Sequence, residues 1–205
     1  MVLSKTQITI YGVNQKWFAL FFIPKKKGVG KIATTGIWKI EKRLDNVIDY
    51  TTNIEKTINS DYGKDSYYDL HNVIDYVEAD YKTEKQFYVS GVNCNPKTAL
   101  EEMTITKEQY GKTGGILGFH AFQSFAEGEV TPEQCHAIGV RLAEEMWGDR
   151  FEVVVSTHLN TNHYHNHFVI NSVSFKDGKR YYDKRETYAE LRRLSDSLCE
   201  EYGLS

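Results

Sequence analysis

The 205-residue chain is predicted to be an α+β protein, built on a central, mainly antiparallel β-sheet flanked by helices. Three observations predict it: β-branched runs bounded by turn residues, amphipathic stretches of helical period between them, and two such runs joined by a short polar loop as a hairpin. With 40% hydrophobic residues, the chain can bury one substantial core and is too short for two ordinary enzyme domains.

Taken in order, residues 40–51 place Leu44, Val47, Ile48 and Thr51 on one helical stripe, with Tyr50 at its edge. There the ring can pack while the hydroxyl reaches a cleft. Residues 46–85 are acidic and tyrosine-rich, and periodicity does not separate helix from loop in them. Residues 85–92 and 118–125 read as strands. Thr131, Pro132 and Gln134 together open a helix, with Thr131 as N-cap and Gln134 closing a capping box. Its core stripe is Cys135, Ile138, Leu142 and Met146, and Gly148 ends it. Residues 151–158 and 164–175 are β-branched runs around the polar loop 159–163, which makes a hairpin. Asp177 and Gly178 turn the chain, and Thr187 with Glu190 predicts a capping box for a last helix through Tyr188, Leu191, Leu194 and Leu198.

Composition sets further bounds. Cys94, Cys135 and Cys199 are odd in number and widely spaced, which suggests neither a disulfide framework nor a cysteine zinc site and fits a reducing cytoplasm. The apolar run at 17–23 is far shorter than the roughly 20 residues of a membrane span, and three lysines follow it where a secretory signal needs small residues. Membrane insertion is therefore not expected. The net charge of −3 hides an uneven distribution, since residues 1–43 hold nine Lys or Arg against one acid. A second basic stretch contains Lys176, Lys179, Lys184 and Arg180, Arg185, Arg192, Arg193 among four acids. Either is a solvated face or a surface for phosphates.

The most informative stretch is 158–167, which holds four of the seven histidines. Side chains alternate along a strand, so His165 and His167 share a face, and an antiparallel hairpin brings His158 beside them. Three neutral imidazoles suit a divalent transition metal and leave positions open for a substrate. His163 shares the phase of His165 if the strand begins early; it is then an alternative ligand to His158, or an acid or base nearby.

The run HLNTNHYHNHFVIN, from His158 to Asn171, resembles the signature of the relaxase or mobilisation nuclease family, a branch of the His-hydrophobic-His endonucleases. Further pieces follow the family's order: ATTGIWKI from Ala33, LDNVIDYTTNIEKT around Tyr50, VSGVNC ending at Cys94, HAFQSFAEGEVTPEQ from His120, and the C-terminal FKDGKRYYDKRETYAELRRLSDSLCEEYGLS. The resemblance covers about residues 33–205, with 1–32 as an N-terminal extension. It departs from the family's usual pattern at Asn160, where Asp is common, and at Ile54, where Pro is common.

The resemblance implies a palm-like relaxase fold and a site- and strand-specific DNA endonuclease that works by transesterification. Tyr50, in the motif Asp-Tyr-x-x-Asn, is then the nucleophile, and the product is a 5′-phosphotyrosine beside a free 3′-hydroxyl. Sequence alone does not choose Tyr50 among fourteen tyrosines. The implied metal ligands are His158, His165 and His167, with His163 catalytic; the implied ion is Mg²⁺ or Mn²⁺, with Zn²⁺, Ni²⁺ or Co²⁺ as alternatives. The implied substrate is single-stranded or locally melted DNA at an origin of transfer, with accessory relaxosome proteins and a secretion coupling protein as partners. Lys176, Lys179, Arg180, Arg192 and Arg193 are the candidate DNA contacts, and Gln123 and Ser124 either face the site or are hidden strand residues. The competing readings are a rolling-circle replication initiator, a non-catalytic metal-containing DNA-binding module, and a hydrolytic metalloenzyme. The first commonly places its tyrosine after the histidines, whereas Tyr50 precedes them.

Overall fold

A computed structural model describes residues 33–57 and 88–204. The basic N-terminal stretch up to residue 32, the acidic stretch from 58, and positions 85–87 of the predicted strand lie outside the described residues. Five strands, β1 (Ala33–Ile40), β2 (Val89–Val92), β3 (Gly118–Phe125), β4 (Val153–His158) and β5 (His165–Asn171), form one sheet in the order β1-β3-β5-β4-β2. Every pairing is antiparallel. The α+β expectation therefore holds, with β4 and β5 paired as the predicted hairpin.

Helices cover both faces. On one face, α4 (Pro132–Trp147) and α5 (Arg185–Glu201) bury Cys135, Ile138, Leu142, Leu191 and Leu198 against Val153, Val155, Phe168 and Ile170. On the other, α1 (Leu44–Thr51) and α3 (Ala99–Gln109) bury Leu44, Val47, Ile48, Ala99 and Met103 against Val154 and Val169. The strict alternation of Val153, Val154 and Val155 between the two clusters explains the unbroken β-branched run: β4 is buried on both sides. At about 25 cal/mol per Å² of apolar surface, each fully buried Val or Leu here contributes on the order of 2 kcal/mol.

Sequence expectations and structure differ at several ends. Helix α1 begins at Leu44 and not at residue 40, because Ile40 completes β1 opposite Gly118 and Arg43 adopts a left-handed conformation, φ 54°. The Arg43 guanidinium then bonds Asp45 and Asn46 of the first turn. The Thr131 capping box forms as predicted, with Gln134 N donating to Thr131 Oγ1 at 3.2 Å. Helix α5 starts two residues before the predicted cap. Thr187 acts from inside the helix, its Oγ1 accepting from Lys184 N at 2.9 Å. Strand β1 and helix α3 are additional elements that the periodicity did not announce.

Among the described residues no helix is long and apolar enough to cross a membrane, and Cys94, Cys135 and Cys199 are free thiols.

Candidate active site

The site forms where the β4–β5 hairpin ends. His158 pairs directly with His165, and His167 lies opposite Ser156 on β4 and Phe122 on β3. Cross-strand partners share a face, so His158, His165 and His167 project together toward the α1 side. All three are buried, and one ring nitrogen from each lies within 4.8 Å of the others. Ring centroids are 4.3 Å apart for His158 and His167, 5.2 Å for His158 and His165, and 5.0 Å for His165 and His167.

Backbone carbonyls decide two of the tautomers. His158 Nε2 lies 2.9 Å from Thr51 O, and His165 Nδ1 lies 2.8 Å from His163 O. A carbonyl only accepts, so His158 carries its proton on Nε2 and His165 on Nδ1. Each then presents its other nitrogen unprotonated. Burial holds all three imidazoles below their ordinary pKa, His158 to about 3, and so keeps them neutral. Buried, neutral and convergent nitrogens fit a divalent cation, and His158 and His165 already present theirs unprotonated.

The sheet's other face fixes the backbone that carries these histidines. Asn166, between His165 and His167, points away from them; its Oδ1 accepts from Thr157 Oγ1 at 2.6 Å, and its Nδ2 donates to Gln123 Oε1 and to Cys135 O. Gln123 Nε2 in turn donates to Ser195 Oγ on α5. His136 on α4 joins the same network, with Nδ1 2.8 Å from Thr157 Oγ1 and Nε2 2.8 Å from Ser90 Oγ. Gln123 thus belongs to the opposite face, as a hidden strand residue and not one that faces the site.

Tyr50 comes from the last turn of α1. It is half-buried, and its ring sits against His158 and His167, with centroids 5.8 and 6.1 Å away. Burial raises its phenol above the ordinary pKa. After Thr51 and Thr52, whose hydroxyls both donate to Ile48 O, the chain turns at Asn53. The Asn53 side chain accepts from Glu55 N at 2.9 Å and opens the short helix α2 (Ile54–Thr57). That turn carries Lys56 back over the tyrosine, its Nζ 3.4 Å from the ring centroid. Lys56 O also accepts from Leu159 N, tying α2 to the residue after His158.

Lys56 and His120 are the two neighbours that sequence reasoning did not single out. Lys56 is legible only through the Asn53 cap, which sets the turn. His120 opens the family-like segment HAFQSFAEGEVTPEQ; on β3 it shares the face of Phe122 and therefore of His167, and its Nε2 lies 2.9 Å from His167 Nδ1. Strand phase alone could have found it once β3 was paired with β5.

His163 is half-exposed in the hairpin loop, with Nδ1 3.3 Å from Phe125 O, and lies outside the group of three. The five nominated cations are not brought to the triad. Lys176, Lys179 and Arg180 follow the far end of β5: Lys176 pairs with Asp149, Lys179 with Asp177, and Arg180 donates to the carbonyls of Lys112, Gly114 and Ile116. Arg192 and Arg193 lie on α5, which covers the opposite face, where Arg193 approaches Glu190 at 3.8 Å.

Residues 53–204 match the family model described as relaxase, MobA/VirD2-like, nuclease domain. The match begins three residues after Tyr50. Among curated proteins, the chain is 42% identical over 116 residues to a protein named Protein rlx of Staphylococcus aureus, covering 57% of this chain and 36% of that protein. It is 29% identical over 201 residues to the group II intron-interrupted relaxase LtrB of Lactococcus lactis subsp. cremoris, covering 79% of this chain and 35% of that one. The chain thus spans about a third of the length of these relatives. A chain from the solved structure named Molecular Basis of Vancomycin Resistance Transfer in Staphylococcus aureus superposes with a TM-score of 0.53 over 85% of this chain and 95% of that one, at 11% identity, which is a likeness of fold.

Proposed function

Because the chain belongs to the MobA/VirD2-like relaxase nuclease family, we propose that residues 33–205 are a catalytic domain that nicks one DNA strand through Tyr50 and begins the transfer or mobilisation of a plasmid or integrative element. One observation carries the assignment of roles: the Tyr50 ring packs on two of the three convergent histidines, so nucleophile and cation site share one surface.

Tyr50 Oη forms a bond to phosphorus, the bond from phosphorus to the 3′-oxygen breaks, and the phenolic proton is exchanged for one on the 3′-hydroxyl. One phosphoester replaces another, so the step reverses when the displaced strand end returns. A phenol with an ordinary pKa near 10, raised here by burial, is protonated at neutral pH and needs help to attack. Lys56 supplies positive charge over the ring as it gains phenolate character. We assign to His163, in the hairpin loop that precedes His165, the role of accepting or returning the proton. His158, His165 and His167 would hold a divalent ion, Mn²⁺ or Mg²⁺ first, which would supply positive charge to stabilise the phosphate in the transition state. The substrate is single-stranded or locally melted DNA at an origin of transfer, with relaxosome proteins and a coupling protein as partners in the cytoplasm.

The test is incubation with labelled single strands from the parent element and Mn²⁺, then a denaturing gel. We expect a protein-linked band that chelation and His165→Ala abolish. Free cleaved ends without attached protein would instead support hydrolysis, and DNA binding without any cleavage would support a non-catalytic module.

A further inference from the structure

Two buried imidazoles, His120 and His167, share a single hydrogen between His120 Nε2 and His167 Nδ1, 2.9 Å apart. Where that hydrogen sits decides whether His167 can bind a cation. With the hydrogen on His167 Nδ1, His167 Nε2 is unprotonated and His120 accepts; His120 must then carry its own proton on Nδ1. With the hydrogen on His120 Nε2, His167 is protonated on Nε2 and is no ligand at all. A histidine that holds a metal through one nitrogen usually donates the other to a carboxylate, a carbonyl or a water, each of which fixes the tautomer. Thr51 O and His163 O do this for His158 and His165. His167 alone faces a partner that can either donate or accept.

His120 is itself 1% exposed, and its Nδ1 has no hydrogen-bond partner among the described residues. Its ring stands edge-on to Trp38, with centroids 4.4 Å apart. An imidazole buried with one nitrogen unsatisfied is costly, so its placement behind His167 calls for a use.

We infer that His120 is a positioning residue which sets the tautomer of His167, and thereby tunes how tightly the three histidines hold their ion. The ion selects the arrangement in which His120 accepts, and part of its binding energy is spent on that selection. The inference rests on the proposed role of the triad, but its test uses metal binding without DNA.

The experiment is titration of the metal-free protein with Co²⁺, followed by calorimetry and by visible absorption, for wild type, His120→Leu, His120→Gln and His158→Ala. His120→Leu removes the acceptor and should weaken Co²⁺ binding by about 10- to 100-fold with an altered spectrum. His120→Gln keeps a carbonyl acceptor of similar reach and should bind within about threefold of wild type, by the same reasoning. Wild-type affinity and spectrum in His120→Leu would overturn the inference. So would equal losses in the Leu and Gln variants accompanied by equal falls in the melting temperature of the metal-free protein, which mark a packing role. If His158→Ala binds Co²⁺ as wild type does, the triad is not the metal site, and the functional reading fails before this one is reached.

Discussion

Tyr50, the proposed nucleophile, has a phenol raised by burial above its ordinary pKa and a ring held against His158 and His167. Tyr50→Phe preserves the ring packing, so it should abolish the covalent product while leaving the melting temperature and Co²⁺ affinity unchanged. A calorimetric titration beside the gel checks both. Lys56→Met keeps the length of the side chain and removes its charge; a cation over an aromatic ring is worth about 0.5–2 kcal/mol, so nicking should slow by roughly 2- to 30-fold. Lys56→Arg should restore most of it, and equal rates in Lys56→Met and wild type would remove Lys56 from the mechanism. At this scale the sequence was legible for the triad, because hairpin phase alone aligns His158, His165 and His167. It was not legible for Lys56, whose approach depends on a turn set by one Asn53 hydrogen bond. Nor was it legible for Lys176 and Arg180, whose acid and carbonyl partners are distant in sequence.

At the scale of elements, the ligand strand is held by what lies behind it. Gly139 on α4 faces Asn166 so closely that a Cβ there would lie 2.5 Å from Asn166 Nδ2 and 2.6 Å from its Cγ. Gly139→Ala therefore pushes on the residue between His165 and His167, and overpacking of this kind costs about 1–3 kcal/mol. We expect a lower midpoint in urea and weaker Co²⁺ binding; an unchanged midpoint would show that α4 yields without disturbing β5. Strands and helices whose inward side chains are apolar were legible, as α4 and β4 show. Helix α3 was not, because its inner face is partly polar: Thr106 and Asn171 bond Glu152, and buried Lys107, pushed down to about 8 by burial, donates to Met103 O. Strand β1 was missed for a related reason, since only Ala33, Thr35 and Ile40 of its eight residues are buried.

At the scale of the whole molecule, buried neutral histidines link stability to pH. Burial lowers His120 to about 3, His136 to about 4 and His158 to about 3, whereas in the unfolded chain each titrates near 6.5. As pH falls below about 6.5 the unfolded chain takes up protons that the folded protein refuses, so stability declines from there toward about pH 4. Above about pH 7 neither state gains protons on these groups, and their contribution is level. The metal-free protein should therefore melt at a lower temperature at pH 5 than at pH 7.5, and His136→Gln should reduce the difference. Equal melting temperatures at the two pH values would contradict the buried, neutral state of the cluster. Added Mn²⁺ should raise the melting temperature at pH 7.5 and lose that effect in acid, since protons compete for the same nitrogens. The fold class was legible from periodicity and the hairpin, because alternation and helical stripes are local. The assembly of one site from α1, α2, β3, β4 and β5 was not, because it depends on the strand order β1-β3-β5-β4-β2, which no local pattern encodes.

The central claim is that Tyr50 and the histidine triad act as one site on a phosphodiester. Mass spectrometry of the protein digested after reaction with single-stranded DNA of the parent element and Mn²⁺ tests it most directly. The expected result is a nucleotide attached through a 5′-phosphate to the peptide containing Tyr50, and no such peptide from His158→Ala. Attachment to a different tyrosine, or undiminished attachment in His158→Ala, would contradict it.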